Sequence, residues 1–330
     1  MRRLLLSAFI LTGACSDALE QATTSGQFVA VANAKADTLS LISASDLSSS
    51  DVSLGSVIGR NPRVASRGAV VLVTSESSYA VTIDLGRRPY QPNSSGPSNP
   101  SGGAIQDDSI VWIPSSSSNT VERLNYRTGA FTQTLAGFNP KAVVITAGKI
   151  FILDANHFSD TLRSYVSVVD PSTVTREDSI LLSGNGAHYM TVGDDSLLYV
   201  VNTGILADTI DGKLSIVDPI ARTEIVVLNG LGRGAGPAVF HPSGRLLIAS
   251  SVNGILEVNT LTRSLSRGPT NPIMAGGPVS GLAIDERRRV YAMDPINCVV
   301  HVLSPPPDYT GVRTVTVGGC PYSAATVNTP

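Results

Sequence analysis

Charge is scarce in this chain. Asp, Glu, Lys and Arg make up 15% of its 330 residues, and the formal net charge is −2. No basic run is longer than Arg287-Arg288-Arg289. Neutralising phosphates takes clustered Lys and Arg, so nucleic acid is not an expected partner. The triplet sits where a tight turn is expected and reads as a solvated hairpin tip. Catalytic signatures are missing as well. There is no Gly-x-Ser-x-Gly elbow, no Gly-x-Gly-x-x-Gly turn, no P-loop, no His-Glu-x-x-His and no Asp-x-Asp-x-Asp-Gly loop. These absences remove the sequence case for nucleophilic hydrolysis, nucleotide binding and the common zinc and calcium sites. No cofactor is indicated.

Long apolar runs are also lacking. The one near the start, residues 4–11, is too short to span a bilayer as a helix. It follows Arg2 and Arg3 and leads into Thr12-Gly13-Ala14-Cys15, which is the basic, apolar, small order of a secretory signal. Residues 1–15 resemble a lipoprotein signal with Cys15 as the acylated residue, and an ordinary cleaved signal is the alternative. Residues 16–27 are small and polar and read as a tether, reaching roughly 40 Å when extended. The expected location is the bacterial cell envelope, anchored at the outer membrane by a lipid on Cys15. The chain has three cysteines. With Cys15 assigned to the signal, Cys298 and Cys320 form an even pair in an exported chain, and a disulfide is expected between them.

What is abundant is Ser, Thr, Gly and Val within a 42% hydrophobic composition, which suits an all-β domain. A strand phrase recurs about every 40 residues, most plainly as FVAVANAKADTLSLIS (residues 28–43) and LYVVNTGILADTIDGKLSIVDP (residues 198–219). Period-two alternation with Gly, Pro, Asn and Asp punctuation makes each unit a small antiparallel sheet. Seven units are counted from residue 28 to residue 330, and a seven-bladed β-propeller is expected. The count rests on reading the Pro/Ser/Gly stretch of residues 86–103 as the ragged edge of the second unit. The first unit lacks an opening strand, whereas residues 322–327 (YSAATV) read as a spare one. The C-terminus is therefore expected to close the ring inside the first blade.

The phrases LYVVN, FVAVAN, VSVVDP and LSIVDP, with their Asn-Pro or Gly-Pro openings, resemble the YVTN-type repeats of bacterial seven-bladed propellers. Blades two, three and six depart from the pattern, with Ser in place of Asn. The resemblance implies the fold, and it spans surface-layer proteins, periplasmic binding proteins and lactonases. The loops leaving each second strand are long and share a face with the blade openings, so that face is the expected site. Aligning the openings places Arg63, Lys141, His188 and Tyr322 in equivalent positions around one channel mouth, with Ala104, Ala238 and Val279 in the others. Such a ring favours an anion. Asp154, Asn156, Asp160, Asp208 and Asp211 are weak metal candidates, because loop Asp and Asn more commonly make turns. His241 and His301 read as structural. The expected function is a non-enzymatic, envelope-anchored binding or scaffold lipoprotein, monomeric, whose partner is a small anion or another envelope protein. A lactonase-like or metal-assisted hydrolase with its site at the mouth is the alternative, and a purely structural role in an envelope assembly is a third.

Overall fold

The computed structural model describes residues 26–76, 79–87, 99–155, 163–184, 186–204 and 211–330. Cys15, the signal around it, most of the tether and the loop residues Asn156, Asp160 and Asp208 lie outside the described residues.

Seven antiparallel sheets form the blades of a β-propeller. The first joins β1 (Gly26–Ala34), β2 (Thr38–Ser43) and β3 (Ser49–Ser53) to the last strand of the chain, β27 (Cys320–Thr329), which lies innermost. The second contains β4 (Arg63–Arg67), β5 (Val70–Ser75) and β6 (Tyr79–Asp84). The third contains β7 (Ala104–Ile105), β8 (Ile110–Ser115), β9 (Thr120–Asn125) and β10 (Ala130–Ala136), and the fourth β11 (Pro140–Thr146), β12 (Lys149–Asp154), β13 (Tyr165–Asp170) and β14 (Thr175–Leu181). The fifth is built from β15 (Ala187–Val192), β16 (Leu198–Asn202), β17 (Gly212–Asp218) and β18 (Thr223–Gly232). The sixth comprises β19 (Ala235–His241), β20 (Arg245–Ser250), β21 (Gly254–Asn259) and β22 (Ser264–Arg267). The seventh comprises β23 (Gly281–Ile284), β24 (Val290–Asp294), β25 (Val299–Leu303) and β26 (Gly311–Thr316).

Alternation along a strand explains how the blades stack. In β1, Val29 and Val31 face the seventh blade, where they meet Tyr291, Met293 and Val300, while Ala30 and Ala32 face Val71 and Val73 of the second. Both faces are buried, which is why the strand reads as nearly continuous apolar sequence. The same division repeats around the ring. Among the described residues one apolar cluster fills each of the seven blade-to-blade interfaces.

The ring closes through its termini as the repeat count requires. β27 pairs along the whole of β1, from Gly26 opposite Thr329 to Ala34 opposite Cys320. Closure leaves no long open edge between the first and last blades. A disulfide joins Cys298, just before β25, to Cys320 at the start of β27, and so ties the seventh blade to the closing strand. Among the described residues the second blade has three strands, and residues 88–98 lie outside them. Just before the short strand β7 the chain runs close to other groups. A Cβ on Gly103 would lie 2.8 Å from the Trp112 carbonyl oxygen and 2.6 Å from a Leu72 methyl.

One expectation fails at the seam. Arg287-Arg288-Arg289 is not simply a solvated tip. The Arg289 side chain is 12% exposed, pairs with the buried carboxylate of Asp285 and donates to the Ala44 carbonyl, while Arg287 Nη1 donates to the Ser45 carbonyl at 3.0 Å. Two of the three arginines thus latch the seventh blade onto the first.

Candidate functional site

Each innermost strand starts at one face of the ring, and each second strand ends there, as the pairings of Arg63 with Thr74, Pro140 with Asp154 and Ala187 with Asn202 require. Polar side chains gather at this face in two sets with different fates.

The first set is structural. The second strands end in buried Asn33, Ser75, Ser115, Asp154, Asn202, Ser250 and Asp294, one per blade. Where the residue is Asn or Asp it reaches a partner on the third strand. Asn33 donates to Ser40 at 2.8 Å, Ser167 to Asp154 at 2.6 Å and Asn202 to Ser215 at 2.9 Å, and His301 lies 3.2 Å from Asp294. Serine is too short to cross. Ser75 donates instead to the Arg60 carbonyl at 3.0 Å, Ser115 accepts from Ser118 at 2.7 Å, and Ser250 accepts from the Asn253 amide at 3.0 Å. The Ser-for-Asn departures in blades two, three and six are therefore a second way of satisfying the same buried position.

Asp154 belongs to this set. It is fully buried and accepts from the Phe138 amide at 2.8 Å as well as from Ser167, with Arg176 at 3.5 Å. Burial raises its pKa, against the opposing pull of those three partners. Its oxygens are taken up within the blade, which leaves a metal little to coordinate. Asp211 is exposed before β17, and among the described residues no group of three or more His, Cys, Asp or Glu is placed to hold a metal ion. His241 is also bonded within the fold, to Ser243 Oγ at 2.7 Å and the Arg288 carbonyl at 3.1 Å, and burial lowers its pKa.

The second set lines the mouth. Arg63, Lys141, His188 and Tyr322 border one cavity of about 270 Å³ together with Asn61, Glu76 and Tyr189. Local backbone geometry brings three of them there. Lys141 falls between Pro140, opposite Asp154, and Ala142, opposite Leu153, so it is the extra residue of a β-bulge. His188 is skipped in the same way between Ala187 and Tyr189, and Tyr322 between Pro321 and Ser323. A bulge takes its residue out of the strict in-and-out alternation and re-aims the side chain. Arg63 needs none, being the first residue of its strand.

The mouth is sparingly bonded inside. Arg63 stacks on Tyr189, with its guanidinium carbon 4.1 Å from the ring centroid, and the Tyr189 and His188 rings lie 5.7 Å apart. Asn61 donates to Glu76 at 3.1 Å. Lys141 is 9% exposed as a residue; among the described residues its ammonium makes no hydrogen bond or ion pair, and it is not one of the fully buried side-chain atoms left without a partner. Burial lowers its pKa, the nearby Arg63 charge lowers it further, and Glu76 partly opposes both. Burial also pushes the Tyr322 hydroxyl up to about 12, so it stays protonated and able to donate across the neutral range.

Alignment of the blade openings therefore brought four residues to one cavity and overlooked three. Glu76 lies just beyond the end of a second strand, a position the alignment did not include, and Asn61 was counted only as turn punctuation. Tyr189 escaped because strict alternation puts it on the opposite face from His188, and the bulge lets both border the mouth. Beneath the mouth, and sharing Arg63, Lys141 and Tyr189 with it, lies the central channel, a cavity of about 450 Å³ bordered by the inner strands of all seven blades.

No protein-family model and no curated protein matches the chain. Solved structures do. AztD from Citrobacter koseri aligns over 93% of this chain and 99% of its own, at 13% identity and a TM-score of 0.60. Hydrazine synthase from Kuenenia stuttgartiensis covers 80% of this chain and 88% of its own at 12% identity and a TM-score of 0.64. The dihydro-heme d1 dehydrogenase NirN covers 90% and 74% at 12% identity and a TM-score of 0.56. At such identities the likeness concerns the fold alone, and what it establishes is a seven-bladed β-propeller.

Proposed function

We propose that this chain is a non-enzymatic binding propeller of the YVTN-repeat type, exported and held in the bacterial envelope by a lipid on Cys15, and that it captures a small anion at the channel mouth. One observation carries the reading: two cations, Arg63 and Lys141, border one small cavity together with Tyr322, and among the described residues Lys141 makes no hydrogen bond or ion pair while Arg63 stacks on Tyr189. Two like charges converging on one concave opening repel each other, and an anion between them relieves that repulsion. Arg63, Lys141 and the Tyr322 hydroxyl supply donors to one carboxylate or phosphate group.

The termini support an orientation. β1 begins at Gly26, at the far end from Cys320 and Tyr322, so the tether joins the domain on the face opposite the mouth. Anchored through Cys15, the domain presents its mouth away from the bilayer.

The reading is tested by nuclear magnetic resonance titration of the purified domain with acetate and with inorganic phosphate at low and high salt. Binding that weakens as salt screens the charges, and that is lost in Arg63→Ala with Lys141→Met, is the expected result. Binding unaffected by the double substitution overturns it. Mass analysis of the membrane fraction checks the anchor by looking for a diacylated or triacylated Cys15 as the first residue.

A further inference from the structure

Given the anion-binding reading of the mouth, on which this step rests, we propose that the ligand is a small zwitterion, an α-amino acid whose carboxylate lies among Arg63, Lys141 and Tyr322 and whose ammonium group lies against Glu76 and Asn61. The cavity that these residues border is divided by charge. Arg63, Lys141 and the Tyr322 hydroxyl stand at the starts of inner strands and offer donors. Glu76, just past the end of β5, and Asn61, in the crossing from the first blade, offer acceptors.

Glu76 is the informative member. A carboxylate present only to balance two cations would pair with them, yet among the described residues it forms no ion pair with Arg63 or with Lys141. It is close enough to be felt: burial lowers the Lys141 pKa, and Glu76 acts against that shift through space. Opposite charges that face one cavity without touching are complementary to a molecule that carries both signs. The bonding at Glu76 also leaves a place for an ammonium group. Its Oε2 accepts from Asn61 Nδ2 at 3.1 Å, while among the described residues Oε1 and the Asn61 amide oxygen accept no hydrogen bond. An ammonium group has three N–H donors, and these two oxygens can take two of them. The cavity, about 270 Å³, is below the roughly 300–1,000 Å³ of pockets that hold drug-sized ligands, which restricts the ligand to few atoms. An α-amino acid carries its two charges on so short a span.

The test is a nuclear magnetic resonance titration of the purified protein with glycine and L-alanine, set against acetate, methylammonium, 4-aminobutanoate and O-phosphoethanolamine. Glycine and L-alanine are expected to bind at least about tenfold tighter than acetate, because each adds a second charge-assisted contact, and methylammonium is expected not to bind. Glu76→Gln keeps an acceptor for Asn61 and removes the charge. It is expected to bring glycine down to the level of acetate while acetate still binds, which also reports an intact mouth. If that variant does not fold, the ratio of glycine to acetate affinity in the wild-type protein decides. Acetate binding as tightly as glycine overturns the zwitterion and leaves the anion site standing. A preference for glycine that survives Glu76→Gln overturns the role given to Glu76. Tighter binding of 4-aminobutanoate than of glycine overturns the α spacing, and tighter binding of O-phosphoethanolamine overturns the carboxylate. No binding by any of these compounds overturns this step and the anion site together.

Discussion

Lys141 and Asp154 lie in adjacent strands of the same blade, at the same face of the ring, and both are buried. Asp154 spends its oxygens on the Phe138 amide, Ser167 and Arg176, and so fastens β12 to β13 and to the segment leading into β11. Lys141, aimed out of the ladder by a bulge, borders the cavity and among the described residues makes no hydrogen bond or ion pair. A charge with a full set of partners belongs to the architecture, whereas one that borders a cavity without them is available to a ligand. The difference separates scaffold from site in a molecule whose sequence carries no catalytic signature.

The comparison breaks if residues assigned to the scaffold prove dispensable. Removal of residues 320–330 takes away the inner strand of the first blade and is expected to abolish cooperative unfolding in a thermal scan. A truncated protein that melts with the parent contradicts the closure. Asp154→Ala strands the groups that it now satisfies and should lower the unfolding free energy by about 4 kcal/mol, measured by chemical denaturation. Opening the disulfide by Cys298→Ser with Cys320→Ser frees a loop with a sequence separation of 22 and is expected to cost about 3 kcal/mol in the chain-entropy picture. Free thiols in protein purified under oxidising conditions contradict that bond.

A smaller effect sharpens the site half. Acetate prefers the charged lysine, so its affinity should fall as pH rises, with a midpoint below the ordinary lysine value of 10.5. Tyr322 loses its proton only near 12, so its hydroxyl still donates and a residual affinity persists above the midpoint. Glu76, His188 and Tyr189 also border the cavity, and Tyr189 interacts with Arg63 through its ring face. A profile that stays flat up to pH 11 removes Lys141 from the binding site.

Much of the fold was legible because its signals are local and repeated. Strand alternation and turn residues mark each unit, and the missing opening strand in β1 with a surplus one in β27 identifies the closure. The mouth was legible in part. A common starting point for each inner strand brought Arg63, Lys141, His188 and Tyr322 together, but bulges break the period-two rule, so Tyr189 could not be assigned. Glu76 required knowing that second strands end at the same face. The seam arginines were misread because their acceptors at Ala44 and Ser45 are about 240 residues away in the chain, a separation that no local pattern reveals. The bonding of Asp154 was not legible because its partner Ser167 lies 13 residues further along the chain.

The most direct test is Lys141→Met, which keeps the volume of the side chain and removes the unpaired charge. If the lysine serves binding alone, the domain should be as stable as the parent or more stable by about 1 kcal/mol, while acetate binding is lost. A variant that loses as much stability as Asp154→Ala, or that binds acetate as the parent does, contradicts the division between scaffold and site.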